Sequence, residues 1–150
     1  MSKDIELDFQ YIFQNLPQQH LLLTPKLIMV AATEAYYAIT HTKPEVILNR
    51  YVFDVFPENK DTEKAGGVSR LAASFQRAID TKEADTLPLQ RYDFPLPENE
   101  GGGFAVGWWR IVNTPLLNNN HEVVFILNTV EDVTHMVGVL EEAQNSVKNR

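Results

Sequence analysis

Histidine and cysteine are the side chains that would most readily bring metal or covalent chemistry to this chain. It contains four histidines and no cysteine. The absence of cysteine removes disulfides, thiolate metal sites, iron–sulfur clusters and cysteine nucleophiles together. No two histidines are spaced as a His-x₃-His pair, so we expect no metal site. The histidines are His20, His41, His121 and His135.

Glycine and serine motifs give no better indication of catalysis. The glycines at 101–103 precede a β-rich run rather than Gly-Lys-Ser/Thr and a helix, which favours a flexible loop over a phosphate cradle. No serine lies in a Gly-x-Ser-x-Gly setting. No two Asp or Glu residues stand out from the expected surface carboxylates as a catalytic pair. The sequence therefore predicts a protein that is not an enzyme.

Charge and hydropathy argue against two further kinds of partner. The 150 residues carry a formal net charge of −7, whereas binding to nucleic-acid phosphates requires clustered Lys and Arg. No run of about 18 apolar residues is present, as a membrane-spanning helix would need. We expect a soluble cytoplasmic domain with one hydrophobic core that binds neither nucleic acid nor membrane.

The elements that would position a site are clearest between residues 104 and 134. Two runs rich in β-branched and aromatic residues flank the polar cluster 118–121, which predicts an antiparallel hairpin with asparagines in the left-handed turn positions. In the second run, the residues that would point to either face of the sheet are apolar, so we predict a central strand covered on both faces. At Asp132 the pattern changes to a helical period, which predicts a helix from Thr134 to about Lys148.

Upstream, apolar periodicity and capping residues predict alternating helices and strands. The grouping of strands at both ends, with helices between them, favours an α+β fold. The predicted helices cover residues 8–16, 33–39 and 68–80, and another short helix starts at residues 43–45 with Pro44 in its first turn. The predicted strands cover 20–24, 28–32 and, as a proline-interrupted edge strand, 87–96.

The order and spacing of these segments resemble the PAS sensory domains. Residues 108–117, the polar turn, the following β-run and residues 131–134 are similar to the PAS closing hairpin and its terminal Asp-Ile/Val-Thr motif. Residues 28–37 are similar to the second PAS strand and first core helix. Residues 52–59 are similar to a segment of the PAS subgroup often found N-terminal to bacterial histidine kinases.

This resemblance implies a five-stranded antiparallel sheet with helices on one face. An N-terminal cap helix would occupy residues 1–17, the PAS-like core 18–134, and a C-terminal signalling or linker helix 135–150. The cap helix would cover the outer sheet face or pair two subunits, because its apolar face cannot be stable alone.

The PAS layout also implies a pocket between helices and sheet, with a filled core as the alternative. A buried Asn128 would need a hydrogen-bond partner, which could be a ligand or a neighbouring group. Trp108 and Trp109 are consecutive, so only one of them can face the pocket. The candidate lining residues are Tyr36 (or its neighbour Tyr37), Leu71, Phe75, Tyr92, Trp108 and Asn128.

We predict no cofactor in that pocket. Haem-binding PAS domains usually take their axial histidine from the long internal helix, and residues 68–80 contain none. The photoactive LOV subgroup needs a cysteine, which this chain lacks. Haem and non-covalent flavin are the less favoured alternatives.

Three residues near the hairpin's end are candidates for signal transmission: Arg110, Asp132 and Thr134. Asp132 and Thr134 could accept hydrogen bonds from the first N–H groups of the C-terminal helix, and Asp132 could also pair with Arg110. The alternative is an ordinary helix cap without a signalling role.

The resemblance implies a sensory input domain. It would sense a small molecule, or relay a conformational change, within a homodimer and pass the signal to a C-terminal effector such as the histidine kinase of a two-component system. The alternatives are a ligand-free PAS dimerisation or protein-interaction module and a small α+β enzyme.

Overall fold

The computed structural model describes residues 5–58, 66–91, 94–96, 98–105 and 107–148. The first half of the chain comprises α1 (Phe9–Gln14), β1 (Gln19–Leu23), β2 (Met29–Ala32), α2 (Glu34–Thr40), α3 (Pro44–Ile47), α4 (Val52–Val55) and α5 (Gly67–Thr81). The second half comprises β3 (Asp85–Thr86), β4 (Gln90–Arg91), β5 (Phe94–Pro95), a 3₁₀ turn (Glu98–Glu100), β6 (Phe104–Ala105), β7 (Trp108–Leu117), β8 (Val123–Asp132) and α6 (Thr134–Lys148).

The main sheet is antiparallel, with the order β2-β1-β8-β7-β3. Strand β4 also pairs with β7, beside Trp108 and Trp109, so β3 and β4 share one edge position. Six strands thus fill five positions, and the predicted α+β architecture is confirmed. The edge strand is interrupted where Pro88 lies between β3 and β4, because proline cannot donate a ladder hydrogen bond.

The β7–β8 hairpin closes through a side-chain-stabilised turn. The Oδ1 atom of Asn118 accepts from the backbone N–H groups of Asn120 and Glu122, at 2.9 and 3.0 Å. The residue in the left-handed conformation is His121, with φ 60°, rather than an asparagine as the sequence had predicted. The turn prediction is otherwise confirmed.

Strand β8 lies in the centre of the sheet, but only one of its faces is well covered. Ile126, Asn128 and Val130 are buried on the face toward the helices. On the opposite face Phe125 is 38% exposed. The prediction of a strand covered on both faces was wrong, because α2, α4 and α5 lie on the same side of the sheet as Asn128 and Val130.

Helix α1 has the predicted position and N-cap: the Oδ1 atom of Asp8 accepts from the N–H of Tyr11 at 3.0 Å. Phe13 stacks on His20 of β1, with ring centroids 6.4 Å apart. Phe9 and Ile12, however, are 72% and 42% exposed. Part of this helix's apolar face is therefore not covered by its own chain.

The helices between β2 and β3 form for local reasons. Thr33 caps α2, since its Oγ1 accepts from the N–H of Tyr36 at 3.2 Å, and α2 ends at His41 in the left-handed conformation. Pro44 occupies the first turn of α3, where its missing N–H costs nothing. Helix α5 buries Phe75 and Ala78 toward the sheet.

Candidate functional site

A cavity of about 70 Å³ lies between the helices and the sheet. It is larger than the ~10–15 Å³ that one water needs, so this part of the core is not completely filled. Most lining side chains are apolar. The cavity is lined by Leu21 of β1, Tyr36 of α2, Val52, Phe53 and Phe56 at α4, Gly67, Val68, Leu71 and Phe75 of α5, Gln90 and Arg91 of β4, Trp109 and Ile111 of β7, and Asn128 and Val130 of β8.

Four of the six candidate pocket residues line this cavity. Tyr36, Leu71 and Phe75 supply apolar surface from two helices, and Asn128 supplies an amide from the sheet. Tyr92 lies outside the described residues. Helical periodicity was enough to predict the three helical residues, and the position of an amide in an apolar strand was enough to predict Asn128.

The choice of Trp108 as a lining residue was wrong, because Trp109 faces the cavity. Trp109 is 4% exposed and shares its face of β7 with Ile111 and Asn113, while Trp108 points to the opposite face. Hairpin register could have identified it: Asn113 lies directly opposite Asn128, and Trp109 has the same parity as Asn113.

Sequence reasoning also missed the polar residues that β4 contributes. The side chain of Gln90 accepts from Arg70 Nε and donates to the backbone oxygens of Pro88 and Leu89, at 2.8 and 3.2 Å. Gln90 and its neighbour Arg91 lie in a two-residue strand, too short for any alternation to reveal which side chains face inward.

Asn128 belongs to a chain of hydrogen bonds that leads out of the cavity. Its Nδ2 donates to Oδ1 of Asn113 at 2.7 Å, and Nδ2 of Asn113 donates to Oγ of Ser74 at 2.9 Å. The Ser74 hydroxyl donates to Oδ2 of Asp85 at 2.6 Å. Arg77 then donates to both carboxylate oxygens of Asp85, at 3.0 Å each. We call these five residues the polar relay.

The relay runs from the core to the surface. Asn128, Asn113 and Ser74 are at most 3% exposed, whereas the Asp85 and Arg77 side chains are 21% and 52% exposed. Asp85, Asn113 and Asn128 face one another across adjacent strands β3, β7 and β8. The hydrogen bonds from Arg77 and then Ser74 hold the pKa of Asp85 below its usual range. Asp85 is consequently a carboxylate at neutral pH.

The junction between β8 and α6 is tied to the start of β7. Asp132 Oδ1 accepts from the N–H and the hydroxyl of Thr134, at 2.9 and 2.5 Å. The Trp108 N–H donates to Oγ1 of Thr134 at 2.9 Å, and the Trp108 carbonyl accepts from the N–H of Val133 at 2.9 Å. Asp132 thus caps the helix as predicted, but Thr134 accepts from β7 rather than from the helix.

The expected pairing of Arg110 with Asp132 was wrong. Arg110 donates to Oε2 of Glu131 through Nε and Nη2, at 3.0 and 2.7 Å. Arg110 and Glu131 are directly opposite in the hairpin, while Asp132 lies opposite Trp109. Neighbours along a strand point to opposite faces, so the register decides which carboxylate Arg110 reaches.

Two further searches covered only the described residues. No group of three His, Asp or Glu side chains is arranged to hold a metal ion in that part of the chain. No helix there is long and apolar enough to cross a membrane.

Comparison with known proteins identifies the fold. No family model matches the sequence, and no curated protein matches it. The PAS domain of a protein from Colwellia psychrerythraea superposes with a TM-score of 0.62 at 12% identity, over 83% of this chain and 93% of that one. The chain has the PAS fold.

Two other solved structures share this fold. An RNA-binding light-oxygen-voltage receptor gives a TM-score of 0.65 at 18% identity, over 94% of this chain but only 36% of the receptor chain. A sensory box sensor histidine kinase from Vibrio cholerae gives 0.55 at 12% identity, over 83% of this chain and 88% of that chain. The resemblance seen in the sequence is confirmed at the level of fold.

Proposed function

We propose that this PAS domain is the sensory input domain of a signal-transduction protein, which holds a small molecule against Asn128 and passes its state to α6. One observation carries the proposal: the cavity wall and the α6 junction meet at two consecutive residues of β7. The Trp109 side chain lines the cavity, and the Trp108 backbone binds Thr134 and Val133.

The mechanism is a two-state equilibrium biased by the ligand. A ligand that displaces Trp109 moves the backbone at Trp108, since the two residues share a peptide bond. That movement changes both hydrogen bonds that hold the first turn of α6. The ligand can shift the helix only by as much as its affinity differs between the two arrangements.

The cavity size supports a small ligand rather than a large cofactor. Pockets for drug-sized molecules are typically about 300–1,000 Å³, well above the volume available here. Haem and flavin are too large for a cavity of about 70 Å³. Helix α5 also contains neither a histidine nor a cysteine. We therefore propose no haem or flavin, no metal and no catalytic step.

We further propose a cytoplasmic homodimer attached to a C-terminal effector such as a histidine kinase. The solved sensor kinase with the same fold supports the choice of effector. Support for the dimer comes from the apolar residues that α1 and α6 leave exposed, among them Phe9 and Leu140. The same exposed residues favour a second candidate function, a PAS dimerisation module without ligand.

Native mass spectrometry of the freshly purified chain tests the proposal. We expect a dimer with a reproducible additional mass that is lost on denaturation. A dimer that carries no additional mass would favour the ligand-free dimerisation module. A bare monomer would contradict both candidates.

A further inference from the structure

We propose that the ligand in this cavity presents a hydrogen-bond donor to the side-chain oxygen of Asn128, and that Asp85, outside the cavity, fixes this preference through the polar relay. The inference deepens the proposed function and rests on it, because it assumes that the cavity receives a ligand.

The first step is the direction of the bond between Ser74 and Asp85. Arg77 has only donors to offer and holds both oxygens of the Asp85 carboxylate. An ionised carboxylate can only accept hydrogen bonds. The Ser74 hydroxyl must therefore donate its single proton to Asp85, at 2.6 Å, and has only lone pairs left for its other neighbour.

The second step carries this direction across the sheet. Since Ser74 can only accept from Asn113, the atom of Asn113 that faces it must be the amide nitrogen. The other end of that amide is then its oxygen, which faces Asn128 and requires a donor there. Asn128 must in turn direct its nitrogen toward Asn113. The carboxylate at the surface thereby sets the orientation of two buried amides.

The third step concerns the group that remains. No hydrogen bond to Oδ1 of Asn128 is found within the described residues, whereas Nδ2 is engaged by Asn113. In that part of the chain, every fully enclosed side-chain nitrogen or oxygen has a partner. Oδ1 must therefore border open space, and Asn128 lines the cavity. A carbonyl oxygen in this position accepts but cannot donate.

The chemical class of the ligand follows from this oxygen and from its surroundings. The mostly apolar lining favours a compact molecule that is largely apolar, because burying polar groups without hydrogen-bond partners is costly. The ligand should carry one hydroxyl or N–H group on an apolar body. A molecule of the same shape that offers only an acceptor would place two oxygens in contact.

Pyrrole and furan form a suitable matched pair of probes. Both are five-membered aromatic rings, but pyrrole has an N–H donor where furan has a ring oxygen. Titration into the ¹⁵N-labelled chain, followed through the side-chain amide signal of Asn128, gives both affinities. We expect pyrrole to bind about fivefold more tightly, as is typical of one net hydrogen bond.

Two variants test the role of the carboxylate. Asp85→Asn allows position 85 to donate as well as accept, so we expect the preference for pyrrole to fall toward onefold. Asp80→Asn removes the same charge from an α5 residue whose side chain accepts from Gln76 rather than from a member of the polar relay, and should leave the preference unchanged. Ser74→Ala, which interrupts the relay at its centre, should lower the preference as Asp85→Asn does.

The results separate this inference from the proposed function. Binding of neither probe would overturn the inference about Asn128, whereas the proposed ligand-binding function fails if native mass spectrometry finds no bound mass. Equal or tighter binding of furan would overturn the orientation of Asn128 while leaving the ligand-binding function in place. An undiminished preference for pyrrole in folded Asp85→Asn and Ser74→Ala would overturn the assignment to Asp85.

Discussion

At the scale of single residues, the sequence leaves open whether Asn128 bonds to a ligand or to a neighbouring group, and its amide has one atom for each. Its nitrogen donates to a neighbouring side chain, Asn113, and the residue lines the cavity, where we propose that its oxygen meets the ligand. A buried amide of this kind is stable because its donor is satisfied within the protein. In the proposed complex, this oxygen would give a small ligand one specific point of attachment.

The two tryptophans give a direct test of which side chain forms the cavity wall. Trp109→Ala should lower the free energy of unfolding by about 3–5 kcal/mol, because it removes a large buried ring. Trp108→Ala should cost less, since its side chain is only partly buried. Urea unfolding of both variants measures the difference. Equal losses would contradict the assignment of Trp109 to the core.

The Asp85 carboxylate should make stability depend on pH. Its folded-state pKa is lowered by the hydrogen bonds from Arg77 and Ser74, so its stabilisation is present above the unfolded pKa and is lost as pH falls through the folded value. Compared with Asp85→Asn, the wild-type chain should be more stable above about pH 4, the ordinary value for Asp.

Urea unfolding at a series of pH values measures this difference in stability. The advantage of the wild-type chain should shrink as the solution is acidified below the ordinary Asp pKa. Asp80→Asn serves as the control, because no hydrogen bond to Arg77 or Ser74 involves Asp80. A difference that stayed constant on acidification would mean that the Asp85 carboxylate is not engaged as described.

At the scale of elements, the start of α6 is held by β7 as well as by β8. Thr134 links the two, because its hydroxyl accepts from the Trp108 N–H and donates to Asp132. Val133, between the cap and the helix, is buried. Helix α6 is therefore attached to both strands of the hairpin. Transmission of a structural change from the cavity to α6 requires such an attachment.

Thr134→Val keeps the shape of this residue and removes its hydroxyl. We expect the free energy of unfolding to fall by about 1 kcal/mol, and the Trp108 amide to exchange faster with deuterium. Hydrogen exchange followed by NMR measures both amides at the junction. The Val133 amide, which binds a backbone carbonyl, is the internal control. Unchanged exchange at Trp108 would contradict the described link.

Asp132→Ala tests whether the junction carries signal. Loss of the cap should cost about 1 kcal/mol and loosen the first turn of α6. In a parent protein with its effector attached, we expect the output, such as kinase autophosphorylation, to change. Glu131→Ala removes a neighbouring carboxylate that accepts from Arg110 instead of from the first turn of α6, and is the matched control. Equal outputs of wild type and Asp132→Ala would remove the signalling role.

At the scale of the whole molecule, apolar side chains remain exposed on three surfaces. Most of them lie on α1 and the segment before it, at the turn end of the β7–β8 hairpin, and along α6. Contiguous exposed apolar surface commonly marks an interface. These side chains are Ile5, Leu7, Phe9, Tyr11 and Ile12 near α1, Leu116, Leu117, Val124 and Phe125 on the hairpin, and Met136, Val139, Leu140 and Val147 on α6.

Substitution of α1 tests the proposed dimer. The double variant Phe9→Ser and Ile12→Ser should weaken association by at least tenfold, since two apolar side chains leave the interface. Sedimentation equilibrium gives the dissociation constant. Val46→Ser, on α3, removes a comparably exposed apolar side chain away from these surfaces as a control. An equal effect of the control, or a wild type that is monomeric throughout, would contradict a dimer through α1.

Local features of this fold could be predicted from the sequence because short-range backbone physics determines them. Asp8 and Thr33 cap helices as their types suggest, and the 3.6-residue period of α5 placed Leu71 and Phe75 on its inner side. The Asn-rich turn and the period change at Asp132 located the hairpin and α6. Helical and β periodicities depend on neighbours within a few residues.

Only the tertiary structure decided which residues meet. The inward face of Trp109, the pairing of Arg110 with Glu131 and the alignment of Asn113 with Asn128 all depend on hairpin register. The residues that meet can be far apart in the sequence: Asn113 and Ser74 are 39 positions apart, and His20 and Thr129 are 109 positions apart. Register and helix docking arise from packing of the whole core, and a local pattern is compatible with several registers. The same packing leaves the cavity that the sequence alone could not distinguish from a filled core.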